Sequence, residues 1–570
     1  MKRTKTKVKQ NLDATLFSSW QKNKSLSNDL KTQLEELTPE EQKEAFASKP
    51  LEFGTAGIRA KMGPGIHYLN KYVYRQIMVG YCKYILSKGY KRPSIFIAHD
   101  NRTNSDKFAM ACAEIATQMG ITVYLPQENR LLPTPILSYA IRKYKLHGGV
   151  NITASHNPKQ DNGFKAYNIK GAQVLPEEAD IIVKNMPSSK EIFDLSAYFH
   201  KGKPSEIKYV VYKELTEQFF DDVIKTVTID KPFLTPKAPI KNMPIVFTGF
   251  HGTTTKLLPK FLDRLGFKKI YTYPQHANIS GLFEDCPISN PEDEKAFVDV
   301  IKYANQVRST IIIGIDPDGD RMVLGFKKTN RWRFLKGNEM GIIFAHYILN
   351  RKRFVDKKPL IITTHVSTSY VDRIAKQNNA DVIRTKTGFK WLGNMLDKLP
   401  EKYEFILGFE EAIGALVHPL CRDKDAFGSV CLALEILNRG NAYFPDLHDY
   451  LCDRIYDIYQ PTFTQTYSYT ITSHNWKDDA RKMMHRALHI RERKIFDYQI
   501  EKVWYEKTSD CVVWTLDKDS WIKFRVSGTE PKFKVYLNFN NEMAGQLKAA
   551  AVMNITKIEA YVLKGFKYTK

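Results

Sequence analysis

Residues 151–167 read N-I-T-A-S-H-N-P-K-Q-D-N-G-F-K-A-Y, and the rest of the chain is organised around them. The segment G-G-V-N-I-T at 148–153 predicts a short strand that feeds a loop centred on Ser155. Asn157-Pro158 and Asp161-Asn162-Gly163 are turn formers, so the backbone does not continue as a helix. A serine at a strand end, with His156 beside it and Lys165 further on, is a candidate nucleophile or phosphate carrier. Most Ser-His pairs in loops are surface polar residues, so the weight of this reading comes from three later loops.

Upstream, residues 1–48 read as polar helices. Thr38, Pro39 and Glu41 form a capping signal: a hydroxyl cap, a proline at the first helical position and an acid three residues on. The segment F-G-T-A-G-I-R at 53–59 is a glycine-rich loop, read either as a connection or as amides and Arg59 facing an anion. A helix is expected over 72–88 and a buried strand over 94–99, ending in Asp100-Asn101-Arg102. A helix at 110–119 and a strand at 122–125 follow. Strands alternating with helices predict an α/β layer architecture. The polar stretch K-G-K-P-S at 201–205 marks the expected end of a first domain.

The pattern restarts at 244–249, a strand running into His251-Gly252-Thr253. Asn290 to Glu294 are expected to cap a helix whose apolar face is Phe297, Val300, Ile301, Ala304 and Val307. A buried strand at 310–315 then delivers Asp316-Pro317-Asp318-Gly319-Asp320-Arg321. Three carboxylates at alternate positions are costly together unless a cation sits among the oxygens, and hard oxygen ligands suit Mg²⁺, Mn²⁺ or Ca²⁺. An EF-hand is excluded, because its sixth and twelfth positions hold Arg321 and Lys327 instead of glycine and glutamate. The bland alternative is a solvated acidic turn. The strand aims this loop at a strand end, where α/β sites lie.

A third restart runs from the strand at 360–364 through a helix from Tyr370 and a strand at 382–384 to T-K-T-G-F-K at 385–390. The strand at 403–407 ends in G-F-E-E-A-I-G at 408–414. Glu410 and Glu411 either accept hydrogen bonds from a polyol or place negative charge at a helix N-terminus. The rhythm changes from about 456: segments at 511–516, 521–525 and 533–539 read as an antiparallel sheet, and a helix is expected over 543–563. Between the last two strands lies R-V-S-G-T-E-P-K at 525–532, either an ordinary hairpin loop or a phosphate cradle of one guanidinium, two hydroxyls and free amides.

Composition bounds the answer. The 570 residues suffice for roughly three to five domains. No apolar run of about 18 residues predicts a membrane span, and no apolar stretch follows the basic N-terminus, so the expectation is cytoplasmic. Seven scattered cysteines without a C-x-x-C read as reduced, mostly buried thiols. The net charge of +24 comes from 86 basic and 62 acidic residues spread along the whole chain. It reads as a lysine-rich surface, part of which attracts an anionic small substrate, and not as a nucleic-acid stripe.

The four loops, in this order, resemble the α-D-phosphohexomutase superfamily of phosphoglucomutases and phosphomannomutases, most closely its longer phosphoglucomutase-2-like branch. T-A-S-H-N-P at 153–158 resembles the phosphoserine loop and D-P-D-G-D-R at 316–321 the metal loop. Residues 408–414 resemble the sugar-binding loop, and R-V-S-G-T-E-P from Arg525 the phosphate-binding loop. The resemblance implies an α/β protein of four domains around a central cleft. Three are related mixed α/β domains and the last is a smaller C-terminal α+β domain, with expected extents 1–205, 206–330, 331–455 and 456–570. It implies an isomerase that interconverts hexose 1-phosphate and hexose 6-phosphate through a phosphoserine enzyme and a sugar bisphosphate.

Further site roles follow from the resemblance alone. Ser155 carries the phosphate; Lys165 or His156 is the acid/base, with Arg59 beside it. One Mg²⁺ is held by Asp316, Asp318, Asp320 and the Ser155 phosphate. Arg321, Lys390, Glu410, Glu411, Arg525, Ser527, Gly528 and Thr529 bind substrate. A lysine crowded by Arg59 and a metal is expected to have a lowered pKa. A sugar 1,6-bisphosphate activator and a phosphosugar substrate are expected, with a monomer or homodimer and no nucleic-acid or membrane partner. Phosphopentomutase and sugar 1,6-bisphosphate synthase are alternatives; a basic nucleic-acid-binding protein is a third, from another class. Two departures are visible: Ala412 and Ile413 follow the glutamates where relatives often carry a hydroxyl, and Val526 stands where many carry proline.

Overall fold

The computed structural model describes residues 13–47, 53–54, 57–440, 446–473, 475–495, 498–527, 531–540 and 555–570. Helices α1 (Ala14–Lys22), α2 (Asn28–Glu36) and α3 (Pro39–Ala45) open the described chain. The capping box forms as the sequence predicts. Glu41 N–H donates to Thr38 Oγ1 at 3.2 Å, and Thr38 N–H donates to Glu41 Oε2 at 3.1 Å. Trp20 and Phe46 are fully buried against each other, and Trp20 packs edge-on against Tyr72, which fastens these helices to the first layer.

Three sheets then repeat one topology. The first contains β1 (Ile58–Lys61), β2 (Ser94–His99), β3 (Thr122–Pro126), β4 (Gly148–Ile152), β5 (Asp161–Asn168) and β6 (Ile207–Val210), in the order β1-β5-β4-β2-β3-β6. The second contains β7 (Ile245–Thr248), β8 (Ile270–Thr272), β9 (Ile311–Ile315), β10 (Met322–Lys328) and β11 (Arg331–Phe334), in the order β11-β10-β9-β7-β8. The third contains β12 (Lys358–Thr364), β13 (Asp381–Thr385), β14 (Tyr403–Phe409) and β15 (Ala415–Leu416), in the order β13-β12-β14-β15.

In each sheet the earliest parallel strand sits between the next two, and the last of that trio turns back into an antiparallel neighbour. The turn at that reversal is 153–160 in the first sheet, 316–321 in the second and 410–414 in the third. All three sequence-predicted loops therefore occupy one topological position. It lies at the carboxyl end of a strand beside the point where strand order reverses, the place where open α/β sheets bind ligands.

The central parallel strands β4, β7 and β9 are buried on both faces along their whole length, because crossover helices cover them. One apolar core runs continuously from the first sheet through the second to the third; Phe219, Phe220, Phe261 and Phe427 pack edge-on in it. The last sheet is antiparallel throughout: β16 (Thr462–Ile471), β17 (Lys494–Ile495), β18 (Tyr498–Glu506), β19 (Cys511–Leu516), β20 (Ser520–Val526), β21 (Lys532–Asn540) and β22 (Tyr568–Thr569), in the order β17-β18-β19-β20-β21-β16-β22.

Four local expectations change. β6 extends the first sheet past residue 205, and β11 carries the second to Phe334, so both layers run beyond their expected ends. Asn290 does not cap the following helix. Its Oδ1 accepts from Glu292 N–H at 3.1 Å in a local turn, and Asp293 caps a short 3-10 turn before the helix Val298–Gln306. No helix starts at Glu410; the chain closes into a turn in which Glu410 N–H donates to Gly414 O at 2.9 Å. Of the helix expected over 543–563, residues 543–554 lie outside the described residues. All seven cysteines are free and six are buried. Among the described residues no helix is long and apolar enough to cross a membrane.

Candidate active site

Ser155 sits at the end of β4 with a left-handed φ of 55° and 1% exposure. Such a backbone costs about 1–3 kcal/mol and persists only where its surroundings over-determine it. Here they do. Ser155 N–H donates to Thr153 Oγ1 at 2.8 Å. The buried guanidinium of Arg102 donates to the carbonyl oxygens of Ser155, Asn157, Pro158 and Asp161 at 2.6–2.8 Å. Asp100 lies 3.3 Å from Arg102 Nε. The loop is thus built around one fork of donors. Ser155 Oγ donates to Asp316 Oδ2 at 2.8 Å, and His156 Nδ1 lies 3.2 Å from Ser155 Oγ.

Asp316, Asp318 and Asp320 are all buried, each offering an oxygen within 4.8 Å of the others. Their partners differ. Asp316 Oδ1 accepts the backbone N–H groups of Asp320 and Arg321 at 3.1 and 3.0 Å. Asp318 Oδ2 accepts from Lys165 Nζ at 2.5 Å and Thr134 Oγ1 at 2.8 Å. Asp320 Oδ2 lies 3.3 Å from Lys165 Nζ and 3.0 Å from Lys424 Nζ. The Oδ1 atoms of Asp318 and Asp320 are buried without a hydrogen-bond partner. Buried carboxylate oxygens are ordinarily satisfied, so two orphans among three hard donors fit a divalent cation. The loop is held from outside. Thr253 donates its N–H and hydroxyl to Pro317 O at 2.7 and 2.9 Å, and a Cβ on Gly252 would lie 2.3 Å from Pro317 Cα.

The β4–β5 register pairs Lys165 with Asn151 and carries its amine under the metal loop, 1% exposed. Among the protein's own groups burial works toward a lowered value, but Asp318 and Asp320 outweigh it and hold the amine above its ordinary value. Asp316 is pushed well up by burial and by the two neighbouring carboxylates. Burial also opposes the Asp318 charge, yet Lys165 and Thr134 hold that carboxyl below its ordinary range. Burial, Arg321 and Arg59 keep His156 well below its usual value.

His156, Asn157, Arg321, Glu410, Glu411, Arg525 and Ser527 line one cleft of about 1210 Å³, so the four loops meet there. Arg59 lines it too and donates to Asn157 Oδ1 at 2.7 Å. Glu410 Oε1 accepts from Gly388 N–H at 2.8 Å, and burial raises its pKa. Glu411 Oε2 is 3.4 Å from Thr364 Oγ1 and 3.5 Å from Ser367 Oγ. Lys390 stands back from the cleft lining and donates to Gly54 O at 3.2 Å. Gly528 and Thr529 lie outside the described residues.

Sequence reasoning missed two residues that matter here. Arg102 stood in plain sight after a buried strand but has no motif. Lys424 comes from 108 residues past Asp316 and bonds to Asp320 and to Asp423 Oδ1, each at 3.0 Å. Asp423 Oδ2 in turn accepts from Tyr167 OH at 2.9 Å and Gln173 Nε2 at 2.7 Å. The charged triplet Asp423-Lys424-Asp425 ahead of an apolar stretch was the available signal.

Comparison with known proteins bears on the family and the fold. Family models for phosphoglucomutase/phosphomannomutase alpha/beta/alpha domains I, II and III match residues 50–192, 217–329 and 336–454. A phosphomannomutase of Mycoplasmoides pirum is 40% identical over 537 residues, covering 94% of this chain and 97% of the relative. A phosphoglucomutase of Staphylococcus aureus is 29% identical, covering 87% and 91%. The crystal structure of a phosphoglucomutase/phosphomannomutase family protein from Burkholderia thailandensis superposes with a TM-score of 0.66 at 17% identity, covering 90% of this chain and 98% of that one.

Proposed function

The chain belongs to the α-D-phosphohexomutase superfamily, and from that premise we propose how its own residues carry out the reaction. It is an isomerase that interconverts hexose 1-phosphate and hexose 6-phosphate. Ser155 carries the transferable phosphoryl group. The P–O bond to Ser155 breaks as one forms to a free hydroxyl of a sugar monophosphate, giving a sugar bisphosphate. After the bisphosphate turns over in the cleft, its other phosphate returns to Ser155 Oγ. The observation that carries this reading is the Ser155 Oγ–Asp316 contact of 2.8 Å, which joins the serine turn of one sheet to the acidic turn of another.

Asp316, Asp318 and Asp320 would hold one Mg²⁺, which when bound would supply positive charge to offset that of the phosphoryl group. Lys165, protonated between Asp318 and Asp320, balances the charge of that loop. His156, kept neutral 3.2 Å from Ser155 Oγ, accepts and returns the proton of the hydroxyl that enters or leaves. Arg525 and Ser527 hold the phosphate that is not reacting. Arg321 joins them on the cleft wall, and Glu410 and Glu411 bind sugar hydroxyls. A sugar 1,6-bisphosphate serves as activator by loading Ser155.

The test is an initial-rate panel with Mg²⁺ and a trace of hexose 1,6-bisphosphate, comparing glucose 1-phosphate, mannose 1-phosphate and ribose 1-phosphate as kcat/KM. Ser155→Ala is expected to lose at least about 10³-fold in turnover. Normal turnover in that variant removes the mechanism, and the ranking of the sugars names the substrate.

A further inference from the structure

Ile413 breaks a local rule. Its φ is 47°, and a β-branched residue is a genuine outlier in the left-handed region, where glycine or asparagine is the ordinary choice. Strain of this kind persists where tertiary contacts impose it, and it collects at functional sites. The contacts are visible. Ile413 is 7% exposed and belongs to an apolar cluster built on the second sheet, with Phe297, Ile312, Val323 and Phe334. Every other buried member of that cluster comes from residues 246–334, so Ile413 enters it from the turn of the third sheet. Val323 stands two positions beyond Arg321, on the strand that leaves the acidic turn. The backbone behind Ile413 is pinned as well: a Cβ on Gly337 would lie 2.3 Å from Glu411 O and 2.5 Å from Ile413 N.

We propose that Ile413 is a positioning residue. Its side chain plugs the sugar-binding turn into the core of the metal-loop sheet and so sets Glu410 and Glu411 at a defined distance from the phosphoryl-transfer centre. This rests on the reading that the two glutamates bind sugar hydroxyls. The strained backbone points the side chain out of its own turn and into the neighbouring sheet.

The experiment uses the full chain with saturating Mg²⁺. Ile413→Ala removes the plug, Ile413→Gly removes plug and strain together, Ile413→Val keeps both, and Glu410→Gln tests the underlying reading. Ile413→Ala and Ile413→Gly are expected to raise KM about tenfold with kcat within about threefold, and to flatten the glucose-to-mannose preference. Ile413→Val is expected to keep wild-type values. A merely structural role would lower Tm and active fraction at unchanged KM and unchanged preference, and that result overturns the proposal. Should Ile413→Ala fail to fold, Ile413→Gly and Ile413→Val carry the same comparison, with unchanged KM in the glycine variant again refuting it. If Glu410→Gln raises KM but the Ile413 variants do not, the plug alone fails. If Glu410→Gln also leaves KM unchanged, the sugar-binding reading fails and the plug with it.

Discussion

The turns at 316–321 and 410–414 occupy the same position in two copies of one strand pattern, yet they are opposite kinds of site. In the first, three carboxylates are fully buried, opposed by Lys165, Lys424 and backbone amides, and two oxygens are left without partners. In the second, two glutamates line the cleft and are hydrogen-bonded by a backbone N–H and hydroxyls, with Lys424 and Arg321 acting on Glu410 through charge alone. The scaffold supplies a place at a strand end; burial and the charges brought to it decide the chemistry. A buried knot of charge suits a hard cation, while half-buried acceptors suit hydroxyls.

The largest expected effect strikes the buried turn. Asp318→Asn should cost about 10²–10³-fold in kcat/KM and weaken the Mg²⁺ dependence, whereas a glutamate substitution should leave that dependence alone. Equal Mg²⁺ responses in the two turns would break the contrast. Next, Lys165→Met leaves Asp318 and Asp320 short of a countercharge, which should cost about 3–4 kcal/mol in chelator. Added Mg²⁺ should then raise Tm more in the variant than in the wild type, and an equal rise would mean that Lys165 does not balance the loop.

Glu435 offers a buried carboxylate outside the cleft with no cation against it. Burial pushes it up to about 7, only partly offset by the Tyr347 hydroxyl and the N–H groups of Asp230 and Ile229. The folded chain therefore binds this proton more tightly than the unfolded chain, whose glutamate titrates near 4.5. That stabilisation is fully present below the unfolded value and lost as pH rises through about 7. Urea unfolding at pH 5 and pH 8 should show wild type losing about 2.5 kcal/mol more than Glu435→Gln between the two. An identical loss would place the titration elsewhere. The smallest effect belongs to the open turn: Glu410→Gln should raise KM about tenfold, roughly one lost charge-assisted hydrogen bond, with kcat little changed.

Much of this contrast was legible in residues alone. The alternation of strands and helices shows in apolar runs and turn formers, and the Thr38–Glu41 cap is a local spacing. The acidic turn announces its chemistry because three aspartates within five positions cannot avoid one another. Lys165 shows where such reading ends. It was counted against Arg59 and a metal, which predicts a lowered pKa; the fold also sets it 2.5 Å from Asp318, and the protein's own carboxylates pull the other way. The partners of Lys424, Arg102 and Ile413 could not be read for the same reason.

By itself the sequence determined the layer pattern, the four loops and the type of group each one carries, because those depend on neighbours along the chain. Tertiary structure alone decided which cation meets which carboxylate, which oxygens are left unpartnered, and how one turn is tied to the next. Coulombic and hydrogen-bond energies depend on distance and burial, and both are set by residues hundreds of positions apart.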